Sequence, residues 1–209
     1  VLWELGKKAW RQIPAGDQEY IPQEILTQGY GAMPLEEFER MLVRKHDIFL
    51  SGTGGMGKTR LLKEIAGKNM RRFDPKEPVY FYVSLRGYQN TKHEGRYILR
   101  QIIKNAGFLD EKGSTEDMIH ELEILLDQEK EGRVTLILLL DGLNEAGGHR
   151  KGLLEEIEYL AKKRGVSALV TDRTDEALDY ALEGFKKAEL QLIPLRTVLE
   201  VLDRYKIER

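Results

Sequence analysis

Cysteine is absent from the 209-residue chain. The fold therefore uses no disulfide, and no thiolate can hold a metal. Long hydrophobic runs are lacking as well. The longest apolar stretch, Val134 to Leu140, is interrupted by Thr135, whereas a membrane span needs roughly 20 apolar residues. Nor does charge of one sign dominate. The chain has 33 Lys and Arg against 35 Asp and Glu, a net charge of −2, so no global field draws it to nucleic acid. Basic clusters at Lys68 to Arg72 and Lys162 to Arg164 each fall near the end of a predicted helix and read as solvated helix termini. No signal peptide, internal repeat or low-complexity segment is visible. These absences fit a cytoplasmic protein. The chain begins with Val1 rather than Met, so it reads as a piece of a longer protein or a processed product.

What is present is the composition of a globular domain. Hydrophobic residues make up 41% and charged residues 33%, too apolar for disorder and too charged for a membrane bundle. The length predicts one to two domains. Residues 1–33 read as an irregular connector punctuated by Pro14, Pro22, Gly29 and Gly31, with Trp3, Trp10, Tyr20 and Ile21 to dock it. Pro34 then opens a helix with Leu35, Phe38, Met41 and Leu42 on one face. From there strands and helices alternate. Strands are predicted at 48–50, 79–85, 134–140, 167–171 and 189–193. Helices are predicted at 57–69, 96–106, 115–129, 151–164, 175–182 and 197–205. Such alternation implies an α/β fold, with a parallel sheet covered by helices on both faces.

The segment Gly52-Thr53-Gly54-Gly55-Met56-Gly57-Lys58-Thr59 satisfies the pattern G-x-x-x-x-G-K-[ST] at every fixed position. The residue types follow from the task of holding phosphate. Backbone N–H groups must approach anionic oxygens closely, where a Cβ would obstruct them, and glycine reaches the positive-φ conformations the loop needs. The helix starting near Gly57 aims the positive end of its dipole at the anion. Lys58 supplies charge for the β- and γ-phosphates, and Thr59 offers a hydroxyl to Mg²⁺. Arg60, next along the helix, joins the candidate binding set. An apolar strand before the motif and an amphipathic helix within it supply the context the pattern demands.

Two further sites follow strand ends. Asp141 closes the run Val134 to Leu140, where a carboxylate falls beside the phosphate loop and is a candidate for the Mg²⁺ shell. Glu145 lies four residues on and is a candidate to orient or deprotonate an attacking water. Arg173 follows the next strand and is placed to sense a γ-phosphate or stabilise transferred charge. The alternative is a surface Arg paired with Asp172 or Asp175.

Together these motifs resemble the NACHT group of STAND ATPases, signalling P-loop proteins related to immune receptors. The loop resembles that group's G-x-G-G-x-G-K-T form. Leu138 to Glu145 resembles its Walker B box, Ala168 to Thr174 its sensor segment with Arg173 at the arginine position, and Leu192-Ile193-Pro194-Leu195 its L-x-P-L step. The resemblance covers roughly residues 20–209. It implies a P-loop three-layer αβα sandwich with a five-stranded parallel sheet of order 5-1-4-3-2. It also implies a nucleotide-binding domain at 34–195 and the start of a helical lid at 196–209. The implied ligands are ATP or ADP with Mg²⁺, and the adenine is expected near Tyr20-Ile21-Pro22 and Pro194. The implied function is a switch in which nucleotide exchange controls oligomerisation, in relatives often within antiphage defence, with effector and sensor domains outside this chain and no direct nucleic-acid partner. The sequence departs from the group at Asn144, where the first residue of the acidic pair is usually Asp, and an amide cannot act as a general base. The winged-helix lid, whose histidine contacts the β-phosphate, is also outside the chain. A non-catalytic scaffold, an ATPase acting on DNA and a small-molecule kinase remain as alternatives. The kinase reading lacks an Arg-rich lid between residues 86 and 133.

Overall fold

A computed structural model describes residues 2–11, 20–71, 74, 76–88, 96–108, 114–127, 133–173 and 182–204 of the chain. Two strands without a polar face set its centre. β5 (Leu136–Asp141) and β6 (Val166–Thr171) bury every residue, as strands covered on both faces do. β3 (Ile48–Ser51), β4 (Val79–Ser84) and β7 (Lys186–Leu190) complete a parallel array. Its order across the sheet is β7-β3-β6-β5-β4. Numbered among themselves, these five strands run 5-1-4-3-2.

The sheet differs from the expected one by two strands. β1 (Ile25–Thr27) and β2 (Gly31–Met33) form a hairpin that pairs antiparallel with the outer edge of β7, giving seven strands. β7 also begins and ends three residues earlier than the predicted 189–193. Its limits are set by pairing with β3, from Lys186 opposite Ile48 to Glu189 opposite Ser51. Beyond it the chain leaves the sheet and Leu192 is exposed.

The irregular connector expected at residues 1–33 is corrected more thoroughly. α1 (Leu2–Arg11) is a helix, and Leu5 and Ala9 belong to the core. It packs against β4 and against α3 (Lys58–Met70). Two glycines permit the approach. A Cβ on Gly6 would meet Val79 Cγ1 at 2.4 Å, and one on Gly67 would meet the Trp10 ring at 2.9 Å. α2 (Leu35–Val43) and α6 (Arg150–Ala161) lie against β6, while α4 (Tyr97–Asn105) packs on α5 (Ser114–Asp127). The helix predicted at 175–182 falls almost wholly outside the described residues. α7 (Leu195–Arg204) buries none of its residues and turns Leu195, Leu199 and Leu202 outward.

The basic clusters are not simply solvated. Lys163 is buried and donates to Asp127 at 2.6 Å. Lys68 donates to the buried Glu39 at 3.0 Å. In the first pair the exposed Asp127 carboxylate offsets the buried ammonium, and in the second the Lys68 ammonium offsets the buried carboxylate. No described helix is long and apolar enough to cross a membrane.

Candidate functional site

The C-terminal ends of β3, β5 and β6 open on one cleft of about 510 Å³, a volume typical of small-ligand sites. Residues 54–60, Lys63, Asp141, Gly142, Asn144, Glu145, Thr171 and Arg173 line it. The structure thus brings together residues spread over 120 positions of sequence. Gly52 and Thr53, expected in the binding set, do not line the cleft. Pro194 is exposed and does not line the cleft.

The loop's path depends on its glycines. Gly55 and Gly57 take φ of 80° and 98°, values that cost other residues strain. Gly57 serves as the N-cap of α3 with no side-chain hydrogen bond, so the first N–H groups of that helix have no side-chain cap. A buried carboxamide that the sequence reading missed braces the loop. Gln23 Nε2 donates to the Met56 carbonyl at 3.1 Å and to the Gln191 carbonyl at 2.8 Å. Its Oε1 would sit 3.2 Å from a Cβ at Gly57. The arm, the phosphate loop and the exit from β7 thereby meet at one side chain.

Lys58 Nζ donates to the carbonyls of Gly52 and of Thr53, the latter at 3.0 Å. Burial pushes its ammonium below the usual lysine range, with Arg173 adding to the effect and Asp141 and Asp172 opposing it. A further negative charge in the cleft would favour its charged form.

Asp141 is buried, and each carboxylate oxygen accepts a hydroxyl. Thr171 Oγ1 donates to Oδ1 at 2.9 Å, and the Tyr82 phenol donates to Oδ2 at 2.8 Å. Thr171 Oγ1 also accepts the Gly142 N–H at 2.9 Å. Gly142 then turns the chain at φ 81°, and a 3₁₀ helix, Leu143–His149, carries Glu145. Glu145 is partly exposed, with Oε2 3.7 Å from Arg86 Nε. The Asn144 carbonyl accepts from Arg150 Nη2 at 3.1 Å. Arg173 reaches the cleft from the end of β6, while the Asp172 carboxylate accepts the backbone N–H of Arg173 at 2.7 Å.

The donor set suits magnesium with a nucleotide better than a metal cage. Among the described residues no group of three or more His, Cys, Asp or Glu could hold an ion. One carboxylate and one hydroxyl, Asp141 and Thr59, line the same cleft as the phosphate loop. Mg²⁺ keeps most of its water and is held by one or two carboxylates together with substrate phosphates.

A parallel sheet of this order, with a glycine loop between β3 and α3 and a buried acid at the end of β5, defines a P-loop NTPase. Residues 46–207 match the NACHT domain model. The chain belongs to the NACHT family, a nucleotide-binding family of P-loop NTPases. Among solved structures it is similar to Drosophila ORC bound to DNA, with a TM-score of 0.57 and 16% identity over 100% of this chain and 52% of that one. It is also similar to a DNA replication initiation factor, with a TM-score of 0.50 and 18% identity over 83% of this chain and 49% of that one. At such identities the likeness concerns the fold alone. The chain spans about half the length of these two structures. No curated protein sequence matches it.

Proposed function

We propose that this domain is an ATP-binding, slowly hydrolysing switch of the STAND type, acting in a cytoplasmic signalling or defence protein in which nucleotide exchange controls self-association. The observation that carries the reading is the convergence on one cleft of the phosphate loop, the clamped carboxylate of Asp141 and the Asn144–Glu145 pair. Lys58 would exchange the loop carbonyls for β- and γ-phosphate oxygens. Thr59 and Asp141 would hold Mg²⁺, which neutralises phosphate charge when bound. Glu145 would take the proton of a water as that water's oxygen bonds to the γ-phosphorus and the bond to the β–γ bridging oxygen breaks. Arg173 would steady the charge that develops on the transferred group. Asn144, an amide, accepts no proton, which leaves one carboxylate for the work and favours slow turnover. The apolar face of α7 supports a helical lid domain beginning near residue 196. The near-neutral charge gives no support to a nucleic-acid partner.

Single-turnover hydrolysis tests the reading. Glu145→Gln should slow γ-phosphate release by roughly 100-fold or more while leaving ATP affinity within about two-fold. Unchanged turnover would remove Glu145 from the chemistry. Tight binding with no turnover in the unaltered chain would favour the non-catalytic scaffold.

A further inference from the structure

Tyr82 has no place in the phosphate loop, the acidic box or the sensor segment, yet its hydroxyl ends on the most constrained carboxylate of the cleft. The topology explains how. β4, β5 and β6 are adjacent, and the registers Tyr82↔Leu139 and Leu139↔Leu169 put Tyr82, Asp141 and Thr171 on one face of the sheet. Side chains alternate between faces, so Asp141 lies two residues beyond Tyr82's partner and within reach of a long aromatic ring. The same face carries α3, whose Lys63 ammonium stands 5.8 Å from the centre of the Tyr82 ring and itself lines the cleft.

The proton positions in this group follow from the bonds. Thr171 Oγ1 accepts the Gly142 N–H, so its own proton is directed to Asp141 Oδ1. The Tyr82 phenol faces a carboxylate and can only donate to it. An ionised carboxylate has about four lone-pair sites. One hydroxyl on each oxygen leaves the others for the cleft and fixes the plane in which they point. A tyrosine that merely satisfied its own hydroxyl could use any backbone carbonyl. This one uses the carboxylate that the proposed function assigns to the metal.

We propose that Tyr82 is a positioning residue for magnesium: its phenolic O–H holds Asp141 Oδ2 so that the remaining lone pairs face the metal's water shell beside the phosphate loop. The inference rests on the assignment of Asp141 to the metal. Side chains behind a metal ligand commonly contribute 10–100-fold to metal affinity or activity.

The test is nucleotide affinity of the full 209-residue chain, titrated with a fluorescent ADP in excess Mg²⁺ and again in EDTA. Tyr82→Phe keeps the ring and removes only the hydroxyl, and a thermal melt without nucleotide checks its folding. Asp141→Asn serves as the reference. Tyr82→Phe should cut the magnesium-dependent gain in affinity about ten-fold while leaving the EDTA affinity within about two-fold. Mn²⁺ in place of Mg²⁺ should give an altered EPR line shape for the bound ion in the same variant. Equal losses with and without metal would overturn the proposal, because they would mark Tyr82 as merely structural. If Asp141→Asn abolishes the magnesium gain and Tyr82→Phe leaves it intact, the proposal falls and the Asp141 assignment stands. If Asp141→Asn also leaves it intact, that assignment fails and the proposal with it.

Discussion

Two buried acids in this domain look alike by exposure and differ in the donors that hold them. Asp141, at the end of β5, is 9% exposed, and Glu156, on α6, is 3% exposed. Each accepts two hydrogen bonds. Those to Glu156 come from backbone: the N–H groups of Tyr97 and Ile98, both at 2.8 Å. They are first-turn donors of α4 with no helical partner, so Glu156 caps α4 from a different helix. The donors to Asp141 are the hydroxyls of Tyr82 and Thr171, and they leave it open to a cleft. The Glu156 carboxylate is consumed by backbone donors, whereas Asp141 is held by side-chain hydroxyls and lines the cleft.

Exchanging the two acids for neutral residues should separate these roles. Glu156→Ala leaves two buried N–H groups without an acceptor, at about 1–3 kcal/mol each. Urea unfolding should show a loss of about 3 kcal/mol while nucleotide affinity stays within about two-fold. Asp141→Asn should do the reverse, with little effect on unfolding and loss of the magnesium-dependent part of affinity. If both variants lost stability equally, the distinction would collapse.

The pH dependence sharpens the contrast. Burial raises the Glu156 carboxyl from 4.5 to about 7, against the lowering effect of its N–H donors. Between those values the folded chain binds a proton that the unfolded chain does not. This group's contribution to stability is therefore fully present below about pH 4.5 and is lost as pH rises toward 7, by an amount on the order of 3 kcal/mol. Glu156→Gln should flatten that slope in denaturant melts from pH 5 to 7. A slope that survives the substitution would assign it to another group.

The smallest effect concerns the acidic pair. Asn144→Asp restores a second carboxylate beside Glu145 and should raise single-turnover hydrolysis several-fold. An unchanged rate would make Asn144 a neutral variation and remove it as the reason for the slow turnover proposed above.

The cleft was legible in the sequence where its parts are contiguous and rest on backbone. Gly52 to Thr59 specify their own loop, and the apolar run before Asp141 announces a strand buried on both faces. Features that depend on distant partners were not legible. β1 and β2 are three residues long and exist because β7 offers an edge to pair with. α1 carried a helical spacing at Leu2, Leu5 and Ala9, obscured by Gly6 and by the prolines and glycines that follow. Gln23, Tyr82 and Glu156 act on residues 33, 59 and 59 positions away, and no local pattern marks them. Tyr82 could have been found only by writing the strand order 5-1-4-3-2 first and reading across the row from Asp141.

The claim beneath all of this is that the loop at Gly52 to Thr59 holds nucleotide phosphate. Thermal unfolding with ATP, ADP, GTP and GDP, each with Mg²⁺, tests it most directly. A ligand at 100 times its Kd should stabilise the chain by about 2.7 kcal/mol, a rise in Tm of about 5–10 °C, and Lys58→Ala should abolish the rise. No rise with any of the four, or an equal rise in Lys58→Ala, would contradict it.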